Sequence, residues 1–166
     1  HRNVAIKVMF PEVLKDAVDG ELYRRMFLNE ASLAGKIQHP HIVAIYDAVV
    51  EEGMSYIVME YVEGGTLEKF CQPENLLHIQ EIAEIIFKCV RALAFANTEG
   101  LIHRDVKPGN ILHKSGTDIK VADFGAALHV VSDRTQVAAV GSPLYMAPEI
   151  ITGAKATVQS DIYAVG

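Results

Sequence analysis

The chain has few cysteines and no paired metal-binding spacing, which makes a zinc site a poor expectation. Its 166 residues include two cysteines, Cys71 and Cys89, without a Cys-x-x-Cys spacing. Seven histidines are scattered along the sequence, and no His-x-x-x-His pair would place two rings on one helix face. We therefore expect two buried or half-buried thiols of ordinary chemistry.

The chain also lacks an excess of basic residues and any long apolar run. Lysine and arginine number 15 against 21 acidic residues, so the formal net charge is -6 at pH 7. Nucleic acid and anionic membrane surfaces attract a basic field, so neither is an expected partner of this segment. No run approaches the roughly 20 apolar residues of a membrane span, and no signal-peptide pattern opens the chain. A cytoplasmic segment is expected, with a membrane anchor outside it left open.

What is present is the composition of a globular protein, with 50% hydrophobic and 22% charged residues. The sequence pattern from Val4 to Tyr61 predicts strands and one helix. A strand is indicated from Val4 to Phe10, interrupted by Lys7. Apolar spacings of four and seven predict a helix from about Glu21 to Ile37. Two β-rich runs, Ile42 to Val50 and Ser55 to Tyr61, flank a short glycine-containing turn and predict a hairpin.

The rest of the chain predicts one long helix followed by loops. The helix extends from about His78 to Asn97, and its apolar stripe consists of Ile79, Ile82, Ile86, Val90 and Leu93. Short apolar pieces alternate with turn residues after Gly100. A β-rich part joined through Glu63-Gly64-Gly65 to a helical part predicts an α+β protein with a ligand cleft between two lobes.

One polar loop carries candidate chemistry, because residues 103 to 110 lie between two apolar pairs. Asp105 and Asn110 are expected to project into the cleft, with Lys107 close enough to keep Asp105 ionised. Asp123 follows in Asp-Phe-Gly. The oxygens of Asn110 and Asp123 suit Mg²⁺, which binds few protein ligands and keeps phosphate oxygens and waters. Asp105 would then accept a proton, so the set suits phosphoryl transfer.

Two further charges lie where burial is expected. Lys7 interrupts its strand, and Glu30 falls on the apolar stripe of its helix, four residues after Met26. A carboxylate on a dry helix face needs a cationic partner. The alternatives are a lysine that snorkels from an edge strand and a glutamate that is simply solvated.

Four short motifs complete the pattern. They are Val4-Ala5-Ile6-Lys7, His103-Arg104-Asp105 with Asn110 five residues after the aspartate, Asp123-Phe124-Gly125, and Ala147-Pro148-Glu149. Each is weak alone, but the four together match the protein-kinase signature set in its order. The chain therefore resembles the protein kinase superfamily. Lys107 is typical of its serine/threonine type, and residues 39–43 with 134–149 resemble the bacterial members.

The resemblance implies an enzyme that uses ATP and Mg²⁺ to phosphorylate serine or threonine hydroxyls of protein substrates. It assigns Lys7 to the ATP phosphates and Glu30 to the pairing of that lysine. Asp105 would face the substrate hydroxyl, and Lys107 would assist it. Asn110 and Asp123 would hold the metal.

The resemblance also implies an adenine pocket. Ala5 and Leu112 would sandwich the ring, and Met59 would guard the back of the pocket. The backbone of Glu60-Tyr61-Val62 would form the hinge that bonds adenine. The alternative for Met59 is an ordinary core methionine of a strand.

A regulatory pair is implied between the third and fourth motifs. Thr135 is expected to carry a phosphate, and Arg104 to bind it. Ser132 and Ser142 compete as acceptors, but Ser142 is expected to bond Asp105 and Lys107 instead. The alternative is an unmodified Thr135, with Arg104 held by a backbone carbonyl.

The resemblance divides the chain into residues 1–62, a partial small β-rich lobe with the hinge, and residues 63–166, a partial helical lobe. The glycine-rich loop is expected before His1 and further helices after Gly166, so the isolated segment is expected to be inactive. A pseudokinase and an interaction fragment without transfer activity remain as alternatives.

Gly109 and Thr66 stand where many kinases that prefer basic substrates carry acids, so the sequence predicts no strong preference for arginine-flanked sites.

Overall fold

A three-stranded antiparallel sheet forms the first part of the protein. The computed structural model describes residues 2–10, 20–33, 35–51, 55–126, 128–129 and 142–166. Its first sheet contains β1 (Val4–Met9), β2 (Ile45–Val50) and β3 (Ser55–Glu60) in the order β1-β3-β2. β2 and β3 are antiparallel neighbours, with Val50 opposite Ser55, which confirms the predicted hairpin. The central strand β3 carries Ile57, which is completely buried.

One helix, α1 (Gly20–Ala31), packs against this sheet and ends earlier than predicted. The predicted end at Ile37 is wrong, because Leu33 N donates to Glu30 O and starts a turn. Gly35 then adopts a φ of +70°, a conformation that favours glycine, and its N–H donates to Ile45 O at 3.0 Å. Leu33 and Ile37 are still buried, but from the connection to β2 rather than from the helix.

The second part contains five short strands in its described residues, of which the sequence indicated three as apolar pieces and did not indicate β4 or β8. β4 (Gly65–Thr66), β6 (Ile111–His113) and β7 (Ile119–Val121) form a sheet in the order β4-β6-β7. β5 (Leu101–Ile102) pairs with β8 (Leu128–His129). Gly64 leads into this part with a φ of +120°, and a Cβ there would lie 2.3 Å from His113 O. A side chain at position 64 would collide with the backbone of His113, so the close contact between these two segments requires glycine.

Among the described residues, three α-helices accompany these strands: α2 (Ile79–Thr98), α3 (Pro148–Ile151) and α4 (Val158–Val165). The extent of α2 agrees with its prediction to within one residue at each end. The predicted buried stripe is wrong in part, because Ile79 is 70% exposed and Ile86 is 37% exposed. The buried face is the adjoining one, made of Ile85, Cys89, Ala92, Leu93 and Ala96. The helix is apolar on more than one face, so periodicity alone did not select the buried one.

The two cysteines differ in their surroundings. Cys89 is buried in the core, and burial raises the pKa of its thiol to about 11. Cys71 is exposed, so the expectation of burial is wrong for this residue. Among the residues placed in the structure, no group of three or more histidine, cysteine or acidic side chains could hold a metal ion.

A continuous core joins the two parts and fixes how they meet. Val43 N donates to Val121 O at 2.9 Å, and Val121 N donates to His41 O at 2.8 Å. Buried side chains from the segment after α1, from α2 and from β7 form one cluster around this bridge. The turn that follows β7 is thereby held against α1. Within the described ranges, no helix is both long and apolar enough to span a bilayer.

Lys88 fastens α2 to the turn between β6 and β7. Its Nζ donates to Thr117 O and to Thr117 Oγ1, both at 2.8 Å. We expect Lys88→Met to lower the free energy of unfolding by about 1–2 kcal/mol, because two hydrogen bonds from a charged donor and its ion pair with Glu84 at 2.7 Å are lost. Chemical denaturation of the full-length protein measures this loss. Lys155→Met, at an exposed position, is the matched control, and equal stability of the two variants would contradict the role of Lys88.

Candidate active site

Three charged side chains from separate elements meet between the two parts of the protein. Lys7 projects from β1, Glu30 from α1 and Asp123 from the turn after β7. Lys7 Nζ lies 2.5 Å from Glu30 Oε2 and 3.0 Å from Asp123 Oδ1. Glu30 is only 3% exposed, while the side chains of Lys7 and Asp123 are 42% and 44% exposed. The structure therefore brings together residues more than 100 positions apart, and neither a snorkelling lysine nor a solvated glutamate describes this geometry.

Burial and charge act in opposite directions on this trio. Burial disfavours the charged form of Lys7, but the carboxylates of Glu30 and Asp123 outweigh it and raise the lysine pKa. Burial raises the pKa of Glu30, and the neighbouring Lys7 opposes that rise. Lys7 is therefore a firmly charged group with one exposed side, while Glu30 depends on Lys7 to stay ionised.

Gly125 allows the close approach of α1 to the Asp123 turn. A Cβ at Gly125 would lie 3.2 Å from Asp123 Oδ1, 3.4 Å from Met26 O and 3.5 Å from Glu30 Oε2. Asp123 itself has a φ of 63°, an uncommon conformation for a residue with a side chain. The packing around Gly125 holds Asp123 in that strained turn, facing Lys7.

Asp105 lies at the centre of a second polar group. Its Oδ1 accepts a hydrogen bond from Ser142 Oγ at 2.9 Å. Its Oδ2 lies 2.8 Å from Lys107 Nζ and accepts from Asn110 Nδ2 at 3.0 Å. Burial alone would raise the pKa of Asp105, but the bonds from Lys107, Ser142 and Asn110 lower it. The carboxylate is therefore held ionised and oriented, and Ser142 makes the contacts expected of it, since it also accepts from Lys107 at 2.8 Å.

Helix α4 anchors the loop that carries Asp105 through the side chain of Asp161. The backbone N–H groups of His103 and Arg104 donate to the two carboxylate oxygens of Asp161, at 2.7 Å and 2.9 Å. Arg104 needs this support because its φ is 71°. Burial raises the pKa of Asp161 although these donors oppose the rise. His103 is fully buried and donates from Nε2 to Ala122 O at 3.0 Å, which ties the loop to the Asp123 turn.

Asn110 and Asp123 carry oxygen atoms of the kind that Mg²⁺ binds, and their use as its ligands remains a prediction. Ala122 N donates to Asn110 O at 2.8 Å, so the segments that carry the two residues are directly linked. Asn110 is 8% exposed, and its Nδ2 is used by Asp105, which leaves its side-chain oxygen as the available ligand atom. One amide oxygen and one carboxylate do not complete an octahedral shell. Phosphate oxygens and waters would have to supply the rest.

The predicted adenine residues lie on the strands that border the same region. Ala5 on β1 is directly opposite Met59 on β3, and both are half-buried. Val62 follows β3 and is half-buried, as is Leu112 on β6. The side chain of Glu60 bonds Lys120, so any contact of Glu60 with a base would come from its backbone. The assignment of these five residues to a nucleotide remains a prediction.

Sequence reasoning missed Lys120, which joins three segments at this junction. Its Nζ lies 3.0 Å from Glu60 Oε2 and donates to Pro40 O at 2.8 Å. Lys120 therefore links the end of β3, the segment after α1 and strand β7, which leads to Asp123. The signal was present in the sequence, because Lys120 interrupts an apolar strand in the same way as Lys7.

The proposed regulatory pair is only partly within the structure. Arg104 lies beside Asp105 on the anchored loop, but Thr135 and Ser132 lie outside the described residues. Their pairing remains a prediction.

Comparison with known proteins agrees with this geometry. The protein kinase domain family matches residues 1–166. The chain is 44% identical over 167 residues to serine/threonine-protein kinase PrkC of Bacillus subtilis (strain 168), covering 99% of this chain and 25% of that protein. It is 38% identical over 174 residues to serine/threonine-protein kinase PknB of Mycobacterium leprae (strain TN), covering 100% of this chain and 27% of that protein. A probable serine/threonine-protein kinase PknB of Lactococcus lactis subsp. lactis (strain IL1403) is 40% identical, with 99% and 26% covered.

The group around Lys7 and the group around Asp105 contain the motif residues by which the sequence resembles a protein kinase, and the family match covers the same residues. The chain belongs to the protein kinase domain family. Its similarity to bacterial serine/threonine kinases confirms the resemblance seen in the motifs. The chain spans about a quarter of the length of these curated relatives.

Proposed function

We propose that the protein transfers the γ-phosphoryl group of ATP to serine or threonine hydroxyls of protein substrates. The observation that carries this proposal is the Lys7–Glu30–Asp123 trio, with distances of 2.5 Å and 3.0 Å, beside an oriented and ionised Asp105. Phosphoryl transfer requires a fixed cation, two residues that can bind a metal ion and a positioned proton acceptor.

Each residue has one task in this proposal. Lys7 binds the ATP phosphates, and Glu30 holds the lysine in place. Asn110 and Asp123 bind Mg²⁺, which neutralises charge on the phosphates when it is bound. Asp105 orients the substrate hydroxyl and takes its proton, while Lys107 and Ser142 keep the carboxylate in position. Ala5, Met59, Glu60, Val62 and Leu112 form the adenine pocket.

The organisation proposed for the chain follows from the same assignment. Residues 1–62 form the small lobe with the hinge, and residues 63–166 belong to the larger lobe. A cytoplasmic location suits a segment that uses ATP as its phosphoryl donor. The pseudokinase alternative is not favoured, because the sequence retains Lys7, Glu30, Asp105, Asn110 and Asp123. Lys7 is bonded to Glu30 and Asp123, and Asn110 is bonded to Asp105.

The test of this function is a transfer assay on the full-length protein. It would be incubated with γ-labelled ATP and a general protein substrate, with Mg²⁺ or with an excess of chelator. Label should appear on phosphoserine or phosphothreonine only when Mg²⁺ is present. Label on tyrosine alone, or no label while ATP binds normally, would refute the proposal.

A regulatory role for Thr135 is part of this proposal. A phosphate on Thr135 would add about -1.5 to -2 charges, and Arg104 is the bidentate partner beside Asp105. We expect Thr135→Ala and Arg104→Ala each to lower activity on the order of tenfold, and not additively when combined. Phosphosite mapping by mass spectrometry and activity assays measure this. Ser132→Ala is the control, and full activity of Thr135→Ala would exclude the switch.

A further inference from the structure

Glu60 is the first residue of the proposed hinge, and neighbouring segments hold both its backbone and its side chain. Glu60 N donates to Ala44 O at 2.8 Å. Its Oε2 accepts from Ala44 N at 3.3 Å and lies 3.0 Å from Lys120 Nζ. The side chains of Glu60 and Lys120 are only 24% and 21% exposed, so water and salt screen their attraction less than at an open surface. The position of the hinge backbone therefore depends on contacts that the side chain of Glu60 makes.

Lys120 connects this hinge residue to the opposite side of the proposed nucleotide site. Its Nζ also donates to Pro40 O at 2.8 Å, which fixes the ammonium group between two segments. In the pairing of β6 with β7, Lys120 lies directly opposite Leu112, the residue proposed to cover one face of adenine. Its own strand leads to Asp123. Lys120 therefore links the hinge to the strand pair that carries Leu112.

We propose that Lys120 is a positioning residue for the nucleotide, which acts through Glu60 to hold the hinge backbone in place relative to Leu112. This inference rests on the proposed function, since it concerns the nucleotide of the same site. Lys120 does not need to touch the nucleotide for this role. A hinge that is already fixed loses less conformational freedom when a base binds, and the affinity for the base is correspondingly higher.

A different route from Lys120 to the nucleotide leads through Asp123, which follows on the same segment. An effect through Asp123 would weaken the binding of ATP with Mg²⁺ but not the binding of adenosine, which has no phosphates. An effect through Glu60 would weaken the binding of both ligands by the same factor, because both contain the adenine ring. Adenosine is therefore the probe that separates the two routes.

A purely structural role for Lys120 makes another prediction. Loss of its contacts would then lower the unfolding temperature of the protein, but the folded protein would bind adenosine with its original affinity. A positioning role changes the affinity of the folded protein itself. Binding measured well below the unfolding transition of each variant distinguishes the two roles, and the comparison of KM with kcat adds a second readout.

The experiment uses the full-length protein and measures the Kd for adenosine, the Kd for ATP with Mg²⁺, and KM and kcat for ATP in phosphoryl transfer. The variants are Lys120→Met, Glu60→Gln, their double variant and Lys120→Arg. Glu60→Gln keeps the backbone and the size of the side chain but removes the charge that Lys120 faces. Lys114→Met, at an exposed position in the turn between β6 and β7, is the matched control for the loss of one lysine.

We expect Lys120→Met and Glu60→Gln each to raise the Kd for adenosine by about three- to tenfold, with the same factor for ATP. The double variant should bind no more weakly than Lys120→Met alone, because both substitutions break the same pair. Lys120→Arg keeps the charge and should lose less affinity. KM for ATP should rise while kcat stays within about twofold, and Lys114→Met should match the original protein.

Unchanged adenosine affinity in Lys120→Met and in Glu60→Gln would overturn the inference. A loss confined to ATP would also overturn it, because the effect would then pass through Asp123. Additive losses in the double variant would show that the two residues act independently, and tighter adenosine binding would show that their contact restrains the hinge; either result contradicts the positioning role. Absence of transfer by the original protein despite ATP binding would instead refute the proposed function, while the adenosine affinities would still decide the role of Lys120.

Discussion

Asp105→Asn is expected to reduce phosphoryl transfer by about a hundred- to ten-thousand-fold, with nucleotide affinity nearly unchanged. Asparagine preserves an oxygen that can accept from Ser142, but it cannot take a proton from a substrate hydroxyl. It also removes the charge that Lys107 faces at 2.8 Å. No hydrogen bond or ion pair within the described structure joins Asp105 to Lys7, Glu30 or Asp123. Asn110, the other residue proposed for the metal, keeps its bond to the backbone carbonyl of Asp105 at 2.8 Å, so it should stay in position.

Steady-state transfer and ATP affinity, measured on the same preparations, test this prediction. Asp47→Asn is the matched control, because Asp47 is an exposed carboxylate on β2. Asp123→Asn provides the contrast, since it should weaken the Mg²⁺-dependent binding of ATP. Transfer by Asp105→Asn within a few-fold of the original protein would contradict the role of Asp105.

Lys7→Met is expected to produce the second large loss, lowering transfer by about a hundredfold or more. The substitution removes charge-assisted bonds to the phosphates, each worth about 1.5–3 kcal/mol. It also leaves Glu30 buried without its cation. Breaking a buried ion pair costs about 3–5 kcal/mol, but Lys7 is 42% exposed, so we expect about 1–2 kcal/mol of stability to be lost.

The loss of stability should depend on pH in a defined direction. Burial raises the pKa of Glu30 above its usual 4.5, and without Lys7 it should rise further. A raised pKa means that the folded state holds the proton more tightly than the unfolded state. The deficit of Lys7→Met should therefore be small below about pH 4.5 and grow as the pH rises towards neutrality. Denaturation curves across this range measure it.

The double variant Lys7→Met/Glu30→Gln separates stability from catalysis. A neutral glutamine does not need a cation, so it should restore most of the lost stability at neutral pH without restoring transfer. If the double variant recovers transfer, then Lys7 does not act on the nucleotide. If it recovers no stability, the unpaired charge of Glu30 is not the cause of the loss.

The sequence predicted which charged residues need a partner better than it predicted the limits of the elements. Lys7 and Glu30 were recognisable because a charge in an apolar strand and a charge on an apolar helix stripe each require a partner. The partner relation between them was implied by family resemblance, since 23 residues separate them and their distance in space depends on packing. The expected contacts of Ser142 also came from that resemblance.

The parts that could not be predicted depend on tertiary contacts. Helix α1 ends at Ala31 because Gly35 turns the chain towards Ile45, and periodicity does not report such a turn. The buried face of α2 is set by what packs on it, so Ile79 and Ile86 are exposed although they fit the apolar period. Lys120 gave the same signal as Lys7, but its partners are mainly backbone carbonyls, which no sequence pattern reveals.

A single-turnover measurement tests the central claim most directly. The full-length protein, in excess, would be loaded with γ-labelled ATP and Mg²⁺ and mixed with a threonine peptide, and the reaction would be quenched at successive times. The account predicts that bound label passes to phosphothreonine in one phase in the original protein. Asp105→Asn should bind the same fraction of ATP but transfer its label far more slowly. Equal transfer rates in the two proteins, or bound ATP that never yields phosphothreonine, would contradict the account.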